Sequence, residues 1–320
     1  MVYKMYRIGV DLGGTNIAAG IVDENYNIIK KLSVPTNASR GADAIVADIS
    51  ALCLKLCEES GIAVSDIDAV GIATPGIADH TDGYAEYANN LPFDHIPICK
   101  MVMDATGIKE AHVENDANAA AWGEAVAGAA KGAETSVMIT LGTGVGGGIV
   151  INGNNVYSGF NYAGAELGHI VIEHNGRPCS CGRRGCWEAY SSATGLIKMT
   201  KEKLDECAEK GENTVMTELV AKKGKVTGRT AFDAMRLGDK AGTEVVDMYL
   251  DYLACGLASV ISIFKPQIIT IGGGISGEGQ SLIDALEPRV RAYQHGGETD
   301  IRIAKLGNDA GIIGAAFLGI

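Results

Sequence analysis

Twice in this chain a short apolar segment runs into a glycine turn, returns as a second apolar segment and ends in a polar turn. The first copy is Arg7–Val10, then Asp11-Leu12-Gly13-Gly14-Thr15, then Ile17–Val22 and Asp23-Glu24-Asn25. The second is Val137–Leu141, then the glycine-rich stretch 142–148, then Ile149-Val150-Ile151 and Asn152-Gly153-Asn154. Laying Asp11-Leu12-Gly13 on Thr140-Leu141-Gly142, and Gly20-Ile21-Val22 on Gly148-Ile149-Val150, needs a slip of one residue. The order of elements nevertheless repeats in full, which is the mark of an internal duplication. A duplicated hairpin narrows the fold to two similar lobes, each supplying one loop to a cleft between them. Length agrees, since 320 residues are about two domains' worth.

The rest of the pattern fits α/β lobes. Ile28–Val34 extends the first copy into a three-stranded meander. Residues 42–60 carry Ile45, Ile49, Leu52 and Leu56 at helical spacing, with Gly61 placed to end the helix. Ala69–Ala73 reads as a strand entering Thr74-Pro75-Gly76, and residues 119–130 as an alanine-rich helix. Residues 196–220 and 243–263 read as helices, Ile268–Ile271 as a strand into Gly272-Gly273-Gly274, and residues 310–320 as a small apolar helix rejoining the first lobe. Antiparallel strands followed by strand–helix alternation predict mixed sheets. The expected division is a smaller lobe of residues 1–117 plus 302–320 and a larger one of residues 118–301.

Glycine numbers 43 of 320, nearly twice its usual share of about 7% and without collagen periodicity, so backbone is expected close to a ligand. The formal charge of −12, with no dense Lys/Arg run, argues against nucleic-acid and membrane-surface partners and favours a small molecule. No uninterrupted apolar run approaches the roughly 18 residues of a membrane span. Eight cysteines and no secretory apolar region predict a reducing, cytoplasmic setting, where clustered thiols more often bind metal than form disulfides.

Asp11 ends a strand just before a turn whose missing side chains let backbone N–H groups reach a phosphate, and a carboxylate there suits Mg²⁺. Taken alone, the segment Asp11, Gly13, Gly14, Thr15 reads equally well as an ordinary hairpin turn. The second loop, with Gly142, Thr143 and Gly144, holds more glycine than reversal of direction requires. It is neither a Walker A loop nor a dinucleotide fingerprint opening a helix, and two glycine hairpins clasping one nucleotide fit better. Asp116, in Glu114-Asn115-Asp116, sits at a strand-to-helix junction, where an Asp is commonly a cap. The same position suits the carboxylate that phosphoryl transfer to an alcohol needs to accept the hydroxyl proton.

Cys179, Cys181 and Cys186, with His169 ten residues before the first, form a Cys₃His set, the closed pattern of structural Zn²⁺. A disulfide is the competing reading, but it leaves one of three close thiols over. Glu166 and Glu188 flank this cluster, so a metal that pins the loop also fixes two carboxylates able to accept hydrogen bonds from a polyol. Asn90 is a weaker candidate of the same kind.

Together, these motifs are similar to those of the ROK family of sugar kinases and repressors: Asp11-Leu12-Gly13-Gly14-Thr15, Glu114-Asn115-Asp116, the stretch Leu141 to Gly148, Glu166-Leu167-Gly168-His169, and the cysteine motif with its trailing Trp187-Glu188. The similarity runs from about Arg7 to the end. It implies an actin-like, hexokinase-like ATPase fold of two α/β lobes with an interlobe active-site cleft, and ATP-dependent phosphorylation of the 6-hydroxyl of glucose. It further implies Asp116 as catalytic base, and Asn90, Asn115, Glu166, His169 and Glu188 as sugar contacts. Asp11 and the two glycine loops would hold phosphates and Mg²⁺, and Gly273 and Gly274 the adenosine. His169 then serves zinc and sugar together. Leu91-Pro92-Phe93 follows Asn90 where many members have Gly-Trp. Family membership also predicts a homo-oligomer, dimer or tetramer. The alternatives are a kinase for N-acetylmannosamine, N-acetylglucosamine, fructose or allose, and a sugar-responsive repressor. Against the repressor stand the charge of −12 and a phosphate loop reached by Asp11, with no preceding helix-turn-helix.

Overall fold

A computed structural model describes residues 5–293 and 298–320. The chain opens with β1 (Tyr6–Leu12), β2 (Asn16–Asp23), β3 (Ile28–Pro35), α1 (Ala42–Ser60) and β4 (Ile67–Thr74). A small sheet follows, of β5 (Ile77–Asp79), β6 (Tyr84–Tyr87) and β7 (Asp94–Ile96), and then α2 (Ile98–Thr106), β8 (Ala111–Asn115) and α3 (Asp116–Val126). Next come β9 (Ser136–Leu141), β10 (Val145–Ile151), β11 (Asn155–Val156), α4 (Glu188–Ser191), α5 (Ala193–Lys210), α6 (Val215–Lys223) and α7 (Thr230–Arg236). The chain ends with α8 (Lys240–Phe264), β12 (Ile268–Gly272), α9 (Gln280–Tyr293), β13 (Asp300–Ile303) and α10 (Ala310–Ala316).

Two five-stranded sheets carry these elements, ordered β3-β2-β1-β4-β8 and β11-β10-β9-β12-β13. Counted along each sheet's own strands, both orders read third, second, first, fourth, fifth, so the duplication seen in the hairpins extends to topology. β1 pairs antiparallel with β2 and parallel with β4, making the first sheet mixed as expected.

The chain divides into two compact units: Met1–Met138 with Gly148–Ala165 and Ala304–Ile320, and Ile139–Gly147 with Glu166–Ile303. The sequence reading set its first boundary after residue 117, whereas α3 here belongs to the first unit, where it packs along α10.

In the first unit one sheet face presents Ile8, Val10 and Leu12 to Ile45, Ile49, Leu52 and Leu56 of α1, all within one core cluster. Ala78, Ala85, Leu91 and Phe93 extend that core, so the Leu-Pro-Phe that follows Asn90 does structural work. α1 ends at Gly61 in the left-handed conformation, φ 71°, whose N–H reaches the Glu58 carbonyl, a cap that glycine adopts without strain. The opposite face carries Gly20, Gly9 and Gly71, neighbours in register across β2, β1 and β4. This glycine lane admits α10 onto bare backbone: a Cβ at Gly9 would lie 1.8 Å from the Ile312 carbonyl oxygen, and one at Gly71 1.6 Å from that of Ala315. Arg7 Nη2 donates to the Leu318 carbonyl at 3.0 Å and Trp122 Nε1 to that of Phe317 at 2.8 Å, fastening the chain end in place.

In the second unit α8 is the central helix. With 25 residues and a mean hydropathy of 1.4 over its most apolar window, it is long and apolar enough to cross a membrane, although Lys240, Glu244, Asp247 and Asp251 break any apolar run. Here it packs against α5, α7 and α9, burying Val245, Tyr249, Leu253 and Leu257. Asp239 caps its start, accepting from the Gly242 N–H at 2.7 Å.

Candidate active site

In the first unit Asp11 ends β1 beside the hairpin turn 13–15. Burial pushes its carboxyl above the ordinary aspartate range, and Lys31 only partly offsets this. A Cβ at Gly311 of α10 would lie 3.0 Å from that carboxylate, so the helix end leaves it room. Gly13 N–H bonds to the Asn16 carbonyl at 2.9 Å, the Thr15 carbonyl accepts from Thr36 N–H at 2.8 Å, and Thr36 Oγ1 donates to the Gly13 carbonyl at 2.6 Å, so the turn is held from both sides. Gly14 and Thr15 are exposed, and Asn90 Nδ2 lies 2.7 Å from where a Gly14 Cβ would stand. Asn90 is therefore placed against the first glycine turn.

The turn from β8 into α3 carries Asn115 and Asp116. Asn115, not Asp116, is the helix cap: its Oδ1 accepts from Ala117 N–H at 2.9 Å and Asn118 N–H at 3.2 Å, and its Nδ2 donates to the Gly76 carbonyl at 2.9 Å. Asp116 is the first helical residue, exposed, with Oδ1 accepting from Ala117 N–H at 2.8 Å. A carboxylate at a helix start is stabilised in its ionised form by the helix dipole, which suits a proton acceptor.

In the second unit β9 delivers Gly142, Thr143 and Gly144. Gly142 N–H bonds to the Gly144 carbonyl, its carbonyl accepts from Ala193 N–H at 2.8 Å, and Thr194 Oγ1 donates to the Thr143 carbonyl at 2.7 Å. Gly273, φ 82°, lies so close to Leu141 that a Cβ would meet its backbone at 2.6 Å, and Gly274 borders open space. The turns at 142–144 and 273–274 therefore stand side by side at the ends of the neighbouring strands β9 and β12.

His169, Cys179, Cys181 and Cys186 bring one ligand atom each within 4.8 Å of one another. His169 Nδ1 is 3.6 Å from Cys179 Sγ, and Cys181 Sγ is 3.6 Å from Cys186 Sγ. A tetrahedral zinc with Zn–S bonds of about 2.3 Å needs its ligands about 3.7 Å apart, so the four residues fit the metal. All described cysteines are free thiols, which removes the disulfide reading. Hydrogen bonding from Arg183 draws the Cys181 thiol below its ordinary value, while burial pushes its neighbour Cys186 up to about 12. Trp187, fully buried, keys the knuckle into α8: a Cβ on Gly256 would meet its ring at 2.0 Å, and its Nε1 donates to the Tyr252 carbonyl.

Glu188 links knuckle and glycine loop. Oε2 accepts from Val145 N–H at 3.1 Å, and Oε1 accepts from Ser180 Oγ at 3.1 Å and faces Cys179 Sγ at 3.7 Å. Glu166 is exposed, one short turn before His169, whose N–H bonds to the Glu166 carbonyl. A cavity of about 410 Å³ is lined by Thr143, Gly144, Ser180, Glu188, Thr194 and Lys198. Sequence reasoning missed Thr194 and Lys198, because a helical residue marks its cavity only once its neighbours are placed. It also missed His80 and Asn118, which surround Glu114 in the first unit.

The ROK family model matches residues 7–320. A glucokinase of Thermotoga maritima is 37% identical over 317 residues, covering 98% of this chain and 96% of that protein. The crystal structure of a ROK family glucokinase from Streptomyces griseus, in complex with glucose and AMPPNP, superposes with a TM-score of 0.78 at 35% identity and covers 98% of both chains. A ROK hexokinase structure from Thermus thermophilus does so with a TM-score of 0.80 at 33% identity, covering 98% of this chain and 97% of that one.

Proposed function

The chain belongs to the ROK family, with its actin-like, hexokinase-like fold, and we propose that it is a glucokinase, transferring the terminal phosphoryl group of ATP to the 6-hydroxyl of glucose. The observation that carries this reading is the exposed Asp116 carboxylate, held at a capped strand-to-helix turn in a chain so similar to glucokinases along its whole length.

Asp116 accepts the proton of the 6-hydroxyl as that oxygen attacks the phosphorus in line, a contribution of about 10²- to 10⁴-fold, with positioning supplying much of the remainder. Asn90, Asn115, Glu166, His169 and Glu188 are the residues proposed to hold sugar hydroxyls. The glycine turns around Gly13, Gly14 and Thr15, and around Gly142, Thr143 and Gly144, offer backbone N–H groups to phosphate oxygens, and Gly273 and Gly274 leave room for adenosine. Asp11 would hold Mg²⁺, whose charge would offset that of the phosphates. His169, Cys179, Cys181 and Cys186 would hold Zn²⁺ in a structural role, since the four would leave no position open for a reactive water. The reading includes a homo-oligomer working in the reducing cytoplasm, which free thiols favour.

ADP release in a coupled assay, with glucose, N-acetylmannosamine, N-acetylglucosamine, fructose and allose in turn, tests the substrate through kcat/KM. Asp116→Asn is expected to lower kcat at least a hundredfold with unchanged thermal unfolding. Turnover near wild type in that variant removes Asp116 as the base. Light scattering in solution reads the oligomer.

A further inference from the structure

The turn that presents Asp116 is braced by Glu114, to which no role was assigned in the Glu114-Asn115-Asp116 motif, and by His80, which lies outside the motifs. Glu114 precedes Asn115 on β8, and its side chain is only 4% exposed. A buried carboxylate needs donors and a countercharge. Glu114 Oε1 accepts from Asn115 N–H at 2.8 Å and from Asn118 Nδ2 at 3.0 Å. These two donors lie on either side of Asp116 in the chain, one residue before it and two after. A single carboxylate oxygen therefore ties the end of β8 to the first turn of α3. Glu114 Oε2 faces His80 Nδ1 at 3.2 Å. His80 follows β5, in the segment whose Gly76 carbonyl receives Asn115 Nδ2, so that one segment grips the turn at two points.

We infer that Glu114 and His80 form a positioning pair for Asp116, in which the imidazolium neutralises the buried carboxylate and the carboxylate fixes the turn that aims Asp116 at the acceptor hydroxyl. This deepens the function proposed above and rests on it. Neither residue touches the reacting atoms; both act through Asp116.

The groups facing His80 favour its charged form. Asp79 adjoins it on β5 and Glu114 meets it from β8, and the hydrogen bond that His80 donates to Glu114 is the chief cause raising its pKa above the ordinary imidazole value. Tyr162 stacks edge-on to the imidazole, centroids 4.9 Å apart, with its hydroxyl on Thr81 Oγ1 at 2.9 Å. His112 lines the same cavity of about 230 Å³ and is paired with Glu110 at 2.8 Å.

A neutral pair leaves the proton affinity of Asp116 nearly unaltered, and breaking it from either side leaves charges of opposite sign. His80→Gln leaves a negative Glu114, which pushes the pKa of Asp116 up, whereas Glu114→Gln leaves a positive His80, which pulls it down. The test is kcat and KM from pH 5 to 9 for wild type, His80→Gln, Glu114→Gln and the double variant, with thermal unfolding of each. The expected result is a tenfold to hundredfold loss of kcat, roughly that of a 1 Å misplacement, with the KM for glucose changed less than about threefold. The acid limb of kcat/KM is expected to move up in His80→Gln and down in Glu114→Gln, on the order of half a pH unit, and to return in the double variant. The His80 side chain is 40% exposed, so His80→Gln is expected to fold even where Glu114→Gln does not, and it decides the matter alone. Wild-type kcat and acid limb in His80→Gln overturn the inference, as does a loss of kcat with no movement of the limb. Wild-type protein that releases no ADP with any hexose overturns the proposed function instead, and the pair's role with it.

Discussion

Replacing Gly314 by Ala puts one methyl group where two helices touch. A Cβ at Gly314 of α10 would stand 1.7 Å from the Ala119 carbonyl oxygen of α3 and 2.8 Å from Gly123 N. Real Cβ atoms essentially never approach closer than 3.0 Å, so the helices must part by about 1.3 Å. Both obstacles are backbone, which cannot rotate aside as a side chain can. α10 has no slack on its other side either, because the Gly9 and Gly71 lane holds it against the sheet. Overpacking of this kind costs about 1–3 kcal/mol, and for a unit of this size each kcal/mol lowers Tm by about 2–4 °C, giving an expected loss of roughly 2–12 °C. Asp116 is three residues from Ala119, in the first turn of α3, so a shift near 1 Å at the contact reaches the base and is expected to lower kcat by up to about a hundredfold. Differential scanning fluorimetry and the coupled kinase assay measure the two effects. Gly228→Ala is the control, since its Cβ would meet only Ile275 Cδ1 at 3.5 Å and Ala193 Cβ at 3.8 Å. A Gly314→Ala protein with wild-type Tm and kcat refutes the claim that α10 is seated through bare backbone.

Three further outcomes are expected. Purified protein should hold about one Zn²⁺ per chain by elemental analysis, and Cys186→Ser should lose it together with most activity. Gly144→Ala would place a Cβ 2.3 Å from Glu188 Oε2 and break that oxygen's bond to Val145 N–H; the KM for glucose should rise about tenfold or more if Glu188 holds a hydroxyl, read from saturation curves. Burial alone would raise the Asp239 carboxyl, but bonds from Gly242 N–H, Val215 N–H and Thr214 Oγ1 outweigh it and hold the pKa below the usual value. A depressed folded pKa contributes stability above the unfolded value of about 4, lost as pH falls through the folded one. Asp239→Ala should therefore cost about 1–2 kcal/mol at pH 7 in urea unfolding, with the difference from wild type shrinking below about pH 4.

Local patterns were legible and long-range ones were not. α1 was readable to its ends because its apolar spacing and Gly61 lie within one segment. β10 begins at Val145 rather than at Ile149, since Gly146, Gly147 and Gly148 pair as strand where propensity alone sees only turn. α3 begins at Asp116, three residues earlier than the alanine run suggested, because the Asn115 side chain supplies the cap. The small sheet from Ile77 to Ile96 had no clear period, and its apolar residues, Ala78, Ala85 and Phe93, are spaced by the needs of the α1 core. The Cys₃His set was legible because ligand chemistry restricts spacing tightly. His80 and Glu114 are 34 positions apart, and neither residue type signals a partner at that distance.

Glycine shows the same split within one residue type. Sequence reasoning assigned the excess to ligand turns, and Gly14, Gly142 and Gly274 do border open or exposed backbone. Gly9, Gly71, Gly123 and Gly314 serve another purpose, letting α10 lie against β1, β4 and α3 backbone to backbone, while Gly20 of β2 makes room for the Ile312 side chain. That close seating is what brings Gly311 to the Asp11 carboxylate and α10 to the helix that begins at Asp116. One short helix thus backs both the residue proposed to hold Mg²⁺ and the residue proposed to take the proton. A substitution buried beneath α10 is for that reason expected to lower kcat as surely as one in the glycine turns, while leaving every side chain that faces the substrate unchanged.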